Sequence, residues 1–241
     1  MKNKYALVTG GGKRVGSSVC KFLALQGYHV IIHYNDSKLE AEKTLKEIVK
    51  SNGKADLIKT DLSSANQVRK LIPRINKKYG RLSMLINNAS IFYPEDWHEV
   101  TDLSWSNNFN INLKAPFILS QEFAKSLPKN SNGLILNLID QRVLNLKSDF
   151  FSYTLSKAAL YTMTKTLALA LAPRIRVNGI GPGPTLPNSQ QTDQIFNLEA
   201  QSTLLKKIVN PEEIAKTMMY LINSESVTGQ MIAVDSGQHL S

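Results

Sequence analysis

Cysteine is almost absent. Cys20 stands alone among 241 residues, so no internal disulfide can staple the fold, and a reducing cytoplasm is the expected compartment. The four histidines, His29, His33, His98 and His239, show no metal-ligand spacing, so no metal is expected. No apolar run approaches the roughly 18 residues that span a bilayer, and the opening MKNKYALVTG enters a strand pattern with no room for a signal peptide. Neither a membrane partner nor an exported protein is expected. Pro/Gly/Ser-rich linkers, low-complexity tracts and fixed-period repeats are missing too, leaving one domain over residues 1–241 as the expectation.

Acidic residues are also in deficit, at 19 against 29 Lys and Arg, for a net charge of +10. Such a balance raises the question of nucleic acid. The cations are scattered, however, without a basic run or interleaved aromatics, so no nucleic-acid partner is expected. A field of this sign draws in small anions.

What the chain does have is alternation. Short apolar runs read as buried strands at Tyr5–Thr9, Tyr28–Tyr34, Ala55–Thr60, Leu82–Ser90, Leu134–Ile139, Arg176–Ile180 and Met231–Asp235. Between them lie helical patterns at Ser17–Gln26, Lys38–Val49, Ala65–Lys78, Asn107–Ser126, Ala158–Leu171 and Pro211–Ile222. Strand and helix alternating end to end imply an α/β fold, a single-domain doubly wound parallel sheet of Rossmann type with helices on both faces. The segment 188–208 reads as irregular to helical and is expected to cover the mouth of a site.

The residues that carry chemistry fall where these strands end, which is where such sheets bind ligands. Gly10-Gly-Gly-Lys-Arg-Val-Gly16, between a strand and a helix, is a phosphate cradle: glycines admit the anion to the backbone, and helix N–H groups face it. At the end of the second strand, an acid would select the ribose of NAD. Tyr34 stands there instead, with His33 before it, Ser37 after it and Lys13-Arg14 in the facing loop, a set that favours the 2′-phosphate of NADP. Asp36 works against that preference. Tyr153 and Lys157 are four apart, hence on one helix face. An ammonium beside a phenol stabilises the phenolate and draws the Tyr pKa down from about 10, making a proton donor or acceptor.

Four features, Thr9-Gly10 with Gly16, Asn87-Asn88-Ala89, Tyr153-x-x-x-Lys157 and Pro182-Gly183, resemble those of the short-chain dehydrogenase/reductases, in that family's order and over essentially the whole chain. The resemblance implies that Tyr153 is the catalytic acid, that Lys157 binds the nicotinamide ribose and lowers the Tyr pKa, and that Asn112 holds a proton-relay water. It implies cofactor contacts from Gly10, Lys13, Arg14, Val15, Gly16, His33, Tyr34, Ser37, Asn88, Ala89, Ser90, Pro182, Gly183 and Thr185, with Asp61-Leu62 at the adenine. It also implies a homo-oligomer, a tetramer, paired through the Ala/Leu-rich helix after Tyr153.

Two departures narrow the resemblance. Arg14 replaces the usual second glycine of the loop, and Asp140 replaces the serine thirteen residues before the tyrosine. The pteridine reductases share both, and the related dihydromonapterin/dihydrofolate reductases share the arginine. Asn87 to Pro94 and His33-Tyr34-x-x-Ser37 extend the match. The subgroup implies that Arg14, Ser90, Phe92, Asp140 and Tyr153 meet the substrate, with a pterin ring stacked on Phe92. The implied activity is NADPH-dependent reduction of a pteridine-type C=N bond. A general carbonyl or 3-oxoacyl reductase, or a non-catalytic NADP(H)-binding sensor, stays open beside it.

Overall fold

The computed structural model describes residues 4–187 and 192–241. In chain order the elements are β1 Lys4–Val8, α1 Arg14–Leu25, β2 Tyr28–Tyr34, α2 Lys38–Lys50, β3 Lys54–Lys59, α3 Ala65–Lys78 and β4 Leu82–Asn87. They continue with α4 Asp102–Phe109, α5 Ala115–Ser126, β5 Gly133–Leu138, α6 Phe151–Leu171, β6 Ile175–Pro182, α7 Asp193–Ser202, α8 Pro211–Asn223 and β7 Met231–Val234.

All seven strands among the described residues form one sheet of order β3-β2-β1-β4-β5-β6-β7, parallel at every pairing. Parallel strands need crossovers, so helices cover both faces. One apolar core lies under α1, α2 and α8, around Val19, Leu23, Ile48 and Ile214; the other lies under α3, α5 and α6, around Leu71, Ile75, Leu119 and Phe123. Ala6, Leu7 and Val8 of β1 are fully buried, which is why the central strands read as unbroken apolar runs. Each buried Leu or Ile contributes about 1.5–3 kcal/mol. The winding direction reverses between β1 and β4. In open parallel sheets the ligand crevice lies at such a reversal, beyond the strand C-termini.

The expected alternation of seven strands with helices holds, with these differences: β4 stops at Asn87 rather than Ser90, and among the described residues there are eight helices where six were read. The helix read as Asn107–Ser126 begins at Asp102, because Thr101 and Ser104 close a capping box around its first turn. It is also interrupted by a π turn at Asn110–Lys114. β6 runs two residues further than expected, to Pro182. Of the segment 188–208, residues 188–191 lie outside the described residues, and α7 occupies its middle.

Candidate active site

The glycine loop is built for close approach. Gly10 adopts a left-handed φ of 61°, and a Cβ on Gly16 would stand 2.2 Å from the Gly10 carbonyl oxygen. Lys13, the N-cap of α1, supplies no side-chain acceptor, so the first-turn N–H groups stay available to an anion. The cradle therefore fits a dinucleotide diphosphate. Asn88 locks it to β4, donating from Nδ2 to the carbonyls of Thr9 (2.8 Å) and Gly10 (3.1 Å). The Thr9 hydroxyl accepts from the Asn88 and Ala89 N–H groups.

His33 lies behind this loop rather than in it. The Gly10 N–H donates to its Nδ1 at 3.0 Å, which fixes the tautomer, so Nε2–H donates to the Thr60 carbonyl at 2.9 Å. Burial lowers its pKa to about 4. The imidazole is a neutral strut with no nitrogen to spare, which corrects the expectation of a cofactor contact. Leu62 likewise packs into the core with Ile58 and Val68, leaving Asp61, half-buried and bonded to Ser63, as the polar group at that strand end. Val15 packs against the opposite core. Arg14, at φ 54°, crosses the crevice to donate to the Leu186 (2.8 Å) and Pro187 (3.1 Å) carbonyls. Its guanidinium thus ties the glycine loop to the chain after β6. Lys13 is exposed, and Asp36 is exposed and takes a bond from Asn35. Beyond β6, Thr185 donates to the Gly183 carbonyl, and Gly183 abuts Asp235 too closely for a Cβ.

Across the crevice, Tyr153 donates to Asp140 Oδ2 at 2.5 Å. Asp140 Oδ1 caps the following 3₁₀ turn, accepting from the Arg142 N–H at 2.8 Å. Both carboxylate oxygens are thus engaged, and the carboxylate is aimed at the phenol. Burial first, then the charge and hydrogen bond of Asp140, push the Tyr153 hydroxyl well above its ordinary pKa, against a smaller opposing effect of Arg142. This corrects the expectation that Lys157 draws the phenol down. Lys157 Nζ donates to the Leu138 carbonyl at 2.8 Å and lies 5.7 Å from the Tyr153 ring centroid. Its own pKa falls to about 8 by burial, with Asp140 holding it up in part.

Asn112 sits fully buried in the π turn. Its Oδ1 accepts from the Ile91 N–H and the Ser90 hydroxyl; its Nδ2 donates to the Ile91 carbonyl, Asn108 and Ser156. The side chain is fully used, so a relay water at Asn112 must use its main-chain carbonyl. A π turn shifts the helical ladder and makes that possible.

Phe92 stands 5.8 Å from the Tyr153 ring and 6.0 Å from Phe150. Phe150 completes an aromatic wall that the sequence did not reveal. It precedes α6 at φ 53°, and Arg142, paired with Asp149 at 2.5 Å, lies 5.1 Å from its ring. The FFSY spelling hints at an aromatic; the left-handed turn that aims it at Tyr153 depends on contacts distant in sequence.

With this geometry in view, a family model described as enoyl-(acyl carrier protein) reductase matches residues 12–239. The 3-oxoacyl-[acyl-carrier-protein] reductase of Thermotoga maritima is 31% identical over 98% of both chains. The chain belongs to the short-chain dehydrogenase/reductase family. Within that family of oxidoreductases, a crystal structure of FolM alternative dihydrofolate reductase 1 from Brucella canis, complexed with NADP, matches with a TM-score of 0.95. It is 42% identical, covering 99% of this chain and 95% of that one. A blue fluorescent protein from a metagenomic library, in complex with NADPH, matches at TM-score 0.90 and 29% identity over 98% and 97% of the two chains. The short-chain dehydrogenase/reductase pattern thus accounts for the glycine loop, Tyr153 and Lys157, and the likeness to FolM matches the subgroup that Arg14 and Asp140 pointed to.

Proposed function

We propose that this short-chain dehydrogenase/reductase is an NADPH-dependent reductase of a pteridine-type C=N bond, acting on a dihydropteridine or dihydrofolate-like substrate. The observation that carries it is the hydrogen bond from Tyr153 to Asp140 under the rings of Phe92 and Phe150. The likeness to an NADP-bound FolM reductase supports it. NADPH, when bound, supplies hydride to a ring carbon. Gly10, Gly16 and the α1 N-terminus would hold its diphosphate, Lys13 and Ser37 its 2′-phosphate, and Lys157 its ribose. The chain's own work is to hold a flat ring against Phe92, deliver a proton from Tyr153 to the neighbouring nitrogen, and orient that phenol through Asp140. The names of relatives favour a second reading, a 3-oxoacyl or general carbonyl reductase.

A panel of pteridines, folates and ketones with either cofactor tests both readings. Pteridine turnover with NADPH favoured over NADH by at least about tenfold in kcat/KM, about 1.4 kcal/mol, is expected. Equal use of the two cofactors would refute the phosphate-selection part and implicate Asp36. Turnover of ketones alone would move the assignment to the second reading.

The same reading includes a homotetramer paired through α6. Leu169 on that helix is 83% exposed, and Phe109, Leu113, Phe117 and Met163 line an apolar groove of about 400 Å³ across α4 to α6. Sedimentation showing only a 26.8 kDa monomer at micromolar concentration would overturn it. Among the described residues no helix is long and apolar enough to cross a membrane. The lone cysteine, Cys20, is free and buried, which supports a reducing compartment such as the cytoplasm.

A further inference from the structure

The loop after β4 is exposed at Tyr93, Pro94, Asp96 and Trp97, yet between them Glu95 is only 8% exposed. A carboxylate is the costliest side chain to bury without compensation. Among the described residues Glu95 has no ion-pair partner; its compensation comes from the N-terminus of α6. The Ser152 N–H donates to Glu95 Oε1 at 3.1 Å, and the Ser152 hydroxyl donates to the same oxygen. The Phe151 N–H donates to the Glu95 main-chain carbonyl at 3.1 Å.

Those N–H groups are ones that a helix cannot satisfy by itself. Phe150, in the N-cap position of α6, has no side-chain acceptor for them. Glu95 therefore acts as the cap from 57 residues away, and its charge lies at the positive end of the helix dipole. The next residue after this clamp is Tyr153. Ser152 Oγ also accepts from Asn108 Nδ2 at 2.8 Å, and Asn108 Oδ1 accepts from Asn112. The clamp is thus continuous with the π turn.

We propose that Glu95 is a positioning residue: it sets the first turn of α6, and so the place of the Tyr153 hydroxyl against Asp140 and of Phe92 against Tyr153. The inference rests on Tyr153 being the proton donor; it does not depend on which substrate is reduced. Phe92 lies three residues before Glu95, so one loop carries the stacking ring and the carboxylate that aligns the donor. Loosening the clamp changes kcat and substrate KM together. The cofactor cradle on β1 and α1 is left alone.

Glu95→Ala, Glu95→Gln and wild type test this with whichever substrate the wild type turns over, well below the melting temperature of each variant. Expected for Glu95→Ala is a kcat at least about tenfold lower, a raised substrate KM and an NADPH Kd within about twofold of wild type. Glu95→Gln, which keeps an acceptor for both Ser152 groups, returns kcat to within about threefold. Tyrosine labelled with ¹³C at Cζ gives a readout without substrate, its Tyr153 resonance assigned with Tyr153→Phe. That resonance should shift in Glu95→Ala and return in Glu95→Gln. A Glu95→Ala enzyme that melts earlier yet keeps kcat and the resonance has lost only a structural cap, and the proposal is then wrong. Should Glu95→Ala not fold, Glu95→Gln decides: a tenfold loss in a folded protein overturns the acceptor role. A wild type that reduces ketones alone removes the pteridine reading and leaves this one standing.

Discussion

Tyr153→Phe is expected to lower kcat by roughly a thousandfold while NADPH affinity stays within about twofold. Proton transfer from a positioned side chain contributes typically about 10²–10⁴, and Tyr153 is the group aimed for it. Its hydroxyl is buried, bonded to Asp140 at 2.5 Å and flanked by the rings of Phe92 and Phe150. Removing one oxygen leaves the rings in place. The Asp140 turn also survives, since Oδ1 still caps it through the Arg142 N–H. The loss is therefore chemical and falls on kcat. Steady-state kinetics with the preferred substrate, beside a fluorescence titration of NADPH, measure it. A variant retaining a tenth of wild-type kcat would mean that the proton comes from Asp140, directly or through a water, with Tyr153 as part of the wall.

Tyr153, Asp140 and Lys157 together set the direction of the pH dependence. Lys157 is charged below about 8 and neutral above it. Tyr153 is held well above its ordinary value, so it keeps its proton through that range. A rate that needs the ammonium thus falls as pH rises through about 8. Because Asp140 raises the Lys157 pKa, neutralising that carboxylate moves the limb to lower pH.

The fold was legible because parallel strands buried on both faces must be apolar for their whole length, and few other structures demand that. Ala6, Leu7 and Val8 at full burial show the reason. The site was legible where chemistry follows spacing, as in Tyr153 and Lys157 on one helix face, or Gly16 where no Cβ fits. It was illegible where a role depends on contacts distant in sequence. Nothing local in Arg14 says that its guanidinium crosses to carbonyls more than 170 residues away. Nothing in Asn110–Lys114 separates a π turn from an α turn. The direction of the Tyr153 shift required knowing that the phenol is buried and bonded to Asp140, while the Lys157 ammonium is bonded to a strand carbonyl.

Asp140→Ser should abolish most pteridine reduction while retaining or raising activity on simple ketones. A ketone gains negative charge on oxygen as hydride arrives. A carboxylate about 4 Å from that oxygen opposes it by about 4 kcal/mol at an effective dielectric near 20. Asp140 is only half buried, so solvent screening trims this, and a penalty on the order of a hundredfold is the working figure. Serine removes that obstacle. Its hydroxyl can still accept from the Arg142 N–H in place of Asp140 Oδ1, so the turn should persist. A C=N bond makes the opposite demand. Its nitrogen must gain a proton, and the amino and ring N–H donors of a pterin are matched by a carboxylate acceptor, which serine replaces poorly. The ratio of kcat/KM for a dihydropteridine to that for a ketone, measured in both proteins, should swing by at least about a hundredfold. If wild type reduces ketones briskly and the serine variant does no better, charge at position 140 does not choose the substrate, and the carbonyl reductase reading takes over.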